Sequence, residues 1–177
     1  MRRTAPAWIA SAAIGILLLA GPTPAGTLGD VHSGGGFEDA RLGDPIDSFT
    51  GLELIGRDPE AGTETYVRRS DDLRVGGAEI DGITYSFYRG RLYFISLRMT
   101  GRASAEAVLA ALERAFGPSS ETGTRPNERI WPGGSQFVLY DFDQKSNRGM
   151  AAMTSTPIHA RMRLERTAPP AHPGNDL

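Results

Sequence analysis

Between Ile83 and Met99 the chain alternates apolar and polar side chains on either side of an Arg89-Gly90 pair. In an extended chain Ile83, Tyr85 and Phe87 share one face, and Thr84, Ser86 and Tyr88 share the other. Beyond the glycine, Tyr93, Ile95, Leu97 and Met99 form an apolar face opposite Leu92, Phe94, Ser96 and Arg98. Two period-two runs around a glycine-containing turn predict an antiparallel hairpin with one face in the core. The period then changes. In "RASAEAVLAALERAFGP" the side chains Val108, Leu109, Leu112 and Phe116 recur at helical spacing. Ser104 is placed to cap this helix, Glu106 sits in its first turn, Arg114 suits the C-terminal dipole, and Gly117-Pro118 ends it.

The flanking segments are less regular. "FEDARLGDPIDSF" reads as a short strand followed by a short helix, with Asp44 as cap, Pro45 in the first helical position and Ile46 and Phe49 as its apolar face. "LELI" and "TYVR" read as strands around a turn at "RDPEAG"; "SDDL" is a further turn, and "RVGGAEIDG" a glycine-weakened bridging segment. After a polar loop over 119–127, "RIW", "SQFVLYDF" and "GMAAMTST" predict three strands, the last two joined by "DQKSNRG". The expected class is α+β: an antiparallel sheet with one long and one short helix packed on one face. A helix followed by antiparallel strands occurs twice, so a helix-plus-strands repeat is possible. The folded part, Phe37 to Met162, is too short for two domains.

The ends carry an address. Met1-Arg2-Arg3 is followed by the apolar run Ala7 to Ala20 and then by "GPTPAG". That is the order of a secretory signal peptide, and the run is shorter than the ~20 residues of a membrane span. Residues 1–25 are therefore expected to be removed after Ala25, with an uncleaved anchor as the alternative. The product is expected to be exported: periplasmic in a Gram-negative host, secreted otherwise. Residues 26–36 are glycine-rich and residues 163–177 proline-rich, and both segments are expected to be disordered. Removing Arg2 and Arg3 takes the basic count from 19 to 17 against 21 acidic residues, a net charge of −4. With no basic run either, nucleic acid is not the expected partner. There is no cysteine, which excludes thiol nucleophiles, thiolate-ligated metals and disulfides.

"RLGDPIDSF", "GITYSFYRGRLYFISLRM", the helix ending "LERAFG" and the final "IW…FVLYDF" together resemble a recurrent type of small bacterial exported protein. Those motifs are structural, so they imply no activity. In layout the chain is also similar to the β-lactamase-inhibitor-like domains, including the small lipoprotein subunit of the outer-membrane barrel assembly machinery. That resemblance implies protein binding without catalysis. The chain departs from the lipoprotein in having no cysteine to carry a lipid.

Few residues suggest chemistry. His32, His159 and His172 lie in or beside the expected tails, where no catalytic triad is preorganised. Asp141 and Asp143 precede a loop in which Lys145 takes a position that a calcium loop needs for an oxygen ligand. Asp71, Asp72, Glu79 and Asp81 form a second acidic set. No phosphate-binding or dinucleotide glycine motif is present, and neither a cofactor nor a metal is expected. The hairpin's polar face instead carries Tyr88, Arg89, Arg91, Phe94 and Arg98, residue types that anchor interfaces; Trp131, flanked by Pro132-Gly133-Gly134, is either a further exposed aromatic or, slightly favoured, a core tryptophan at a strand end. These six are the expected binding residues. The expected function is a non-enzymatic binding or adaptor domain of the cell envelope, partnered by a protein or envelope component. The alternatives are a hydrolase using paired carboxylates and a carrier holding an apolar ligand between sheet and helix.

Overall fold

The computed structural model describes residues 31–32, 36–119, 121–125 and 127–167. The expected leader over 1–25, residues 26–30 and 33–35 of the glycine-rich segment and residues 168–177 lie outside the described residues; residues 31–32 and 36, expected to be disordered, are strand. The chain opens with three two-residue strands, β1 (Val31–His32), β2 (Gly36–Phe37) and β3 (Ala40–Arg41), which form a small sheet of their own. A 3-10 turn (Ile46–Ser48) follows. Then come β4 (Leu52–Asp58), β5 (Thr63–Arg68), the small hairpin β6 (Arg74–Val75) and β7 (Ala78–Glu79), β8 (Gly82–Tyr88) and β9 (Arg91–Thr100). Helix α1 (Arg102–Phe116) leads into β10 (Glu121–Thr122), β11 (Arg129–Pro132), β12 (Gln136–Asp143), β13 (Arg148–Ser155) and helix α2 (Thr156–Thr167).

The main sheet has eight strands, all antiparallel, in the order β10-β11-β12-β13-β9-β8-β5-β4. Read from each edge inward, the halves run β4-β5-β8-β9 and β10-β11-β12-β13, meeting where Leu97 pairs with Ala151. The core lies on one face of this sheet, where Ile83, Tyr85, Phe87, Leu92, Ile95, Leu97, Met99, Val138, Tyr140 and Met153 meet Val108 and Leu112 of α1. Phe37, Ala40 and Val75 of the small strands, with Ile80 just after β7, close the same cluster. Leu112 is completely buried, so its truncation to Ala would cost about 2–5 kcal/mol.

The hairpin forms where its periodicity places it, with Arg89 at φ 49° and Gly90 at φ 73° in a turn that matches the twist of paired strands. One detail differs from the alternation. A bulge shifts the register so that Ser86 pairs with Phe94 while Phe87 pairs with Leu92. The extra residue, Tyr93, is thereby turned to the outer face, where its hydroxyl meets Thr63, and Leu92 takes a buried core position instead.

The expectations for helices need three corrections. The Asp44–Phe49 segment is a single 3-10 turn: the Asp44 carboxylate accepts the Arg41 N–H at 2.9 Å, and Phe49 packs edge-on against Phe87. Helix α1 starts earlier than Ser104, after Gly101 at φ 96°, so Ser104 lies within its first turn and caps nothing. Residues 156–167, expected to be a strand end, the last residues of the domain and, from 163, disordered tail, form α2. Ile158, Met162 and Glu165 of α2 are its less exposed side chains, and the Glu165 carboxylate accepts the hydroxyl of Tyr88. Because Tyr88 points away from Phe87 and the core, α2 lies across the sheet face opposite α1. No helix of the described residues is long and apolar enough to cross a membrane.

Candidate functional site

The outer face of the sheet divides into two regions. At the hairpin end it is covered. Tyr88 is buried beneath α2, donating its hydroxyl to Glu165, whose carboxylate also accepts Arg89 at 2.5 Å and Arg161 at 2.7 Å. The Arg89 guanidinium lies 5.4 Å above the Tyr88 ring. The Tyr88 hydrogen bond, followed by that of Arg161, holds the Glu165 carboxyl below its usual range. Tyr88 and Arg89 therefore dock a helix of the same chain. Arg91 is also engaged internally, reaching the Gly43 carbonyl at 3.3 Å while its backbone bridges Pro45.

Trp131 is not exposed. It is 6% accessible, packs against Phe116, and donates its indole N–H to the Gly117 carbonyl at 2.8 Å, satisfying the end of α1. Pro132-Gly133-Gly134 beside it suggests an exposed aromatic, but pairing of Trp131 with Val138 turns the ring into the core face, as the strand-end reading has it.

Beyond the Tyr88–Glu165 contact the outer face is more open. Phe94 is half-buried with its ring tilted against Tyr93, and Arg98 is exposed. Strand pairing places beside them residues that the sequence pattern does not single out. Phe94 pairs with Thr154 and through it with Phe137, while Arg98 pairs with Met150 and through it with Asp141. Phe137 and Met150 are 38% and 37% exposed, unusual for large apolar side chains on central strands. Their signal was present in β12, where Phe137, Leu139 and Asp141 alternate with buried Val138 and Tyr140, but only the register with β13 and β9 joins them to Arg98.

Of the two acidic sets, Asp81 and Asp141 border one groove, and Asp71 stands apart from it. Asp141 pairs with Arg125 at 2.9 Å, and Asp143 closes its own turn by accepting the Lys145 N–H and the Ser146 hydroxyl, which hold its carboxyl below the usual range. Asp71 is buried with Arg68 on the core face of the sheet. The Arg68 guanidinium donates to Asp71 at 2.5 Å, to Asp39 at 2.7 Å and to Glu38 at 3.4 Å, and Asp71 also accepts the Tyr85 hydroxyl at 3.0 Å. Burial lowers the pKa of Arg68, but the Asp71 hydrogen bond and its other partners outweigh that and raise it. Burial first, then the charge of Asp71, raises Tyr85. Glu38 is likewise raised, by burial and then by the charge of Asp71, against the lowering influence of Arg68. This network ties the β2–β3 turn to the main sheet. His159 is exposed on α2.

Comparison with family models, with curated proteins and with solved structures finds no match to this chain.

Proposed function

We propose that the protein is an exported, non-enzymatic binding or adaptor domain, and that the open region of the sheet's outer face is its recognition surface. The observation that supports this reading is the grouping of exposed Phe137 and Met150 with Arg98 on that face, next to half-buried Phe94. Aromatic, methionine and arginine side chains combine large contact area with forked donors, the composition enriched at interface cores. Strands fixed by ladders on both sides hold these side chains with little freedom to lose on binding. The matching strand order of the two halves supports the further reading that the domain is a repeat of a helical element and four strands.

The test is photocrosslinking in the producing cell. A photoreactive residue replacing Met150 is expected to yield a reproducible protein adduct, and one replacing buried Leu112 none. Absence of an adduct at Met150, with the protein folded and exported, would sink the recognition surface. The export reading is tested separately by mass: the product is expected to begin at Gly26.

A further inference from the structure

At the end of the outer face remote from α2, Arg98 and Arg148 border an open groove of about 510 Å³. They stand on the paired strands β9 and β13, where Arg98 pairs with Met150 and Arg148 with Thr100, so they are diagonal neighbours on one face with exposed Met150 beside them. Each guanidinium is exposed, and neither has a hydrogen-bonded or ion-paired partner among the described residues. Carboxylates are near, yet they are engaged elsewhere. Asp81 accepts the Thr100 hydroxyl at 2.7 Å, and Asp141 is held by Arg125 at 2.9 Å.

We infer that this groove binds an acidic, extended segment of a partner protein, with carboxylates on Arg98 and Arg148 and an apolar side chain against Met150. Guanidinium forks match carboxylates in a two-pronged geometry. An extended peptide repeats same-face side chains about every 6.6 Å, close to the roughly 7–8 Å that separates diagonal neighbours on paired strands. Acidic residues at alternating positions therefore fit both arginines at once. The walls are strands whose backbone N–H groups are used in the ladder, so the groove lacks the N–H nest that phosphate sites commonly use.

The inference rests on the outer-face reading. A fluorescein-labelled peptide with glutamate at alternating positions is titrated against the purified protein by anisotropy, beside its glutamine counterpart, inorganic phosphate and phosphatidylglycerol vesicles. The glutamate peptide is expected to bind, more weakly as salt rises, and the glutamine peptide not to compete. The Arg98→Gln/Arg148→Gln variant is expected to lose about tenfold or more in affinity with unchanged melting temperature. Arg163→Gln/Arg166→Gln, which removes equal charge from α2, is expected to change affinity less than about twofold. Equal losses in both variants, tighter binding of phosphate or vesicles, or no peptide binding would each overturn the inference. A Met150 adduct that persists in cells carrying Arg98→Gln/Arg148→Gln would also overturn it while leaving the outer-face reading standing. Peptide binding without any Met150 adduct would keep the groove's chemistry and reject that reading of its use.

Discussion

Replacing Arg68 by Met tests what holds the N-terminal strands to the sheet. The Arg68 side chain is 7% exposed and that of Asp71 2%, so the pair is shielded from solvent in a way that surface ion pairs are not. Met fills a similar volume but leaves the Asp71 carboxylate buried with the Tyr85 hydroxyl as its remaining partner, and releases Asp39 and Glu38 of the β2–β3 turn. Breaking a buried pair by removing one member costs about 3–5 kcal/mol, roughly 10–20 °C in melting temperature for a domain of this size. Asp39, at 75% exposure, contributes little of this. The cost should come chiefly from an uncompensated charge, so removing that charge should relieve it. Arg68→Met/Asp71→Asn keeps an acceptor for Tyr85 and is expected to be more stable than Arg68→Met by about 1–2 kcal/mol. Urea denaturation of wild type, both single variants and the double variant closes the cycle. A loss below about 1 kcal/mol for Arg68→Met, or strict additivity in the double variant, would refute the assignment of a buried, coupled pair.

Further outcomes follow from single contacts. Trp131→Phe removes the indole donor to Gly117 and is expected to cost about 1–3 kcal/mol by thermal denaturation; an unchanged midpoint would place the ring at a surface. In a chain beginning at Gly26, Trp131 is the single tryptophan, and its emission is expected to be blue-shifted and poorly quenched by acrylamide. Glu165→Gln weakens the hold on Tyr88, Arg89 and Arg161, so the amides of α2 are expected to exchange faster than in wild type while those of α1 do not change. The folded-state pKa of Glu165 is depressed, so its contribution is present above the usual carboxylate range and lost as pH falls through the depressed value. Glu38 has the opposite sign: its pKa is raised on folding, so its contribution is full below the unfolded value and lost as pH rises through the folded one. Glu38→Gln is therefore expected to stabilise the protein at neutral pH and not at low pH, as read from denaturation midpoints at both.

What was legible in the sequence is what periodicity encodes. The β8–β9 hairpin and α1 announce themselves because one face of each is buried along its whole length, so apolar residues recur at two and at three or four positions. The same rule misplaces Tyr93, because a bulge adds one residue to β9 without any glycine or proline to mark it; only pairing with Ser86 and Phe87 reveals the slip. Helix α2 has too narrow an apolar stripe to be read by period, since Met162 is its one buried residue and Leu164 is 71% exposed. Its stability comes from tertiary contacts that the local pattern cannot contain, above all Glu165 with Tyr88 and Arg89. A start signal did exist in Thr156-Pro157, a polar residue followed by a proline suited to the first turn. The binding residues show the same division. Tyr88, Arg89 and Trp131 have the composition of an interface and serve an internal one, since a helix docked on its own sheet asks for the same aromatic area and forked donors as a foreign chain. What separates Arg98 from them is that no internal partner engages it among the described residues, a property of the assembled sheet. Arg148 and Met150 join it only because β13, distant in sequence, lies beside β9. The open part of the sheet's outer face is thus set by which side chains α2 covers and which it leaves exposed.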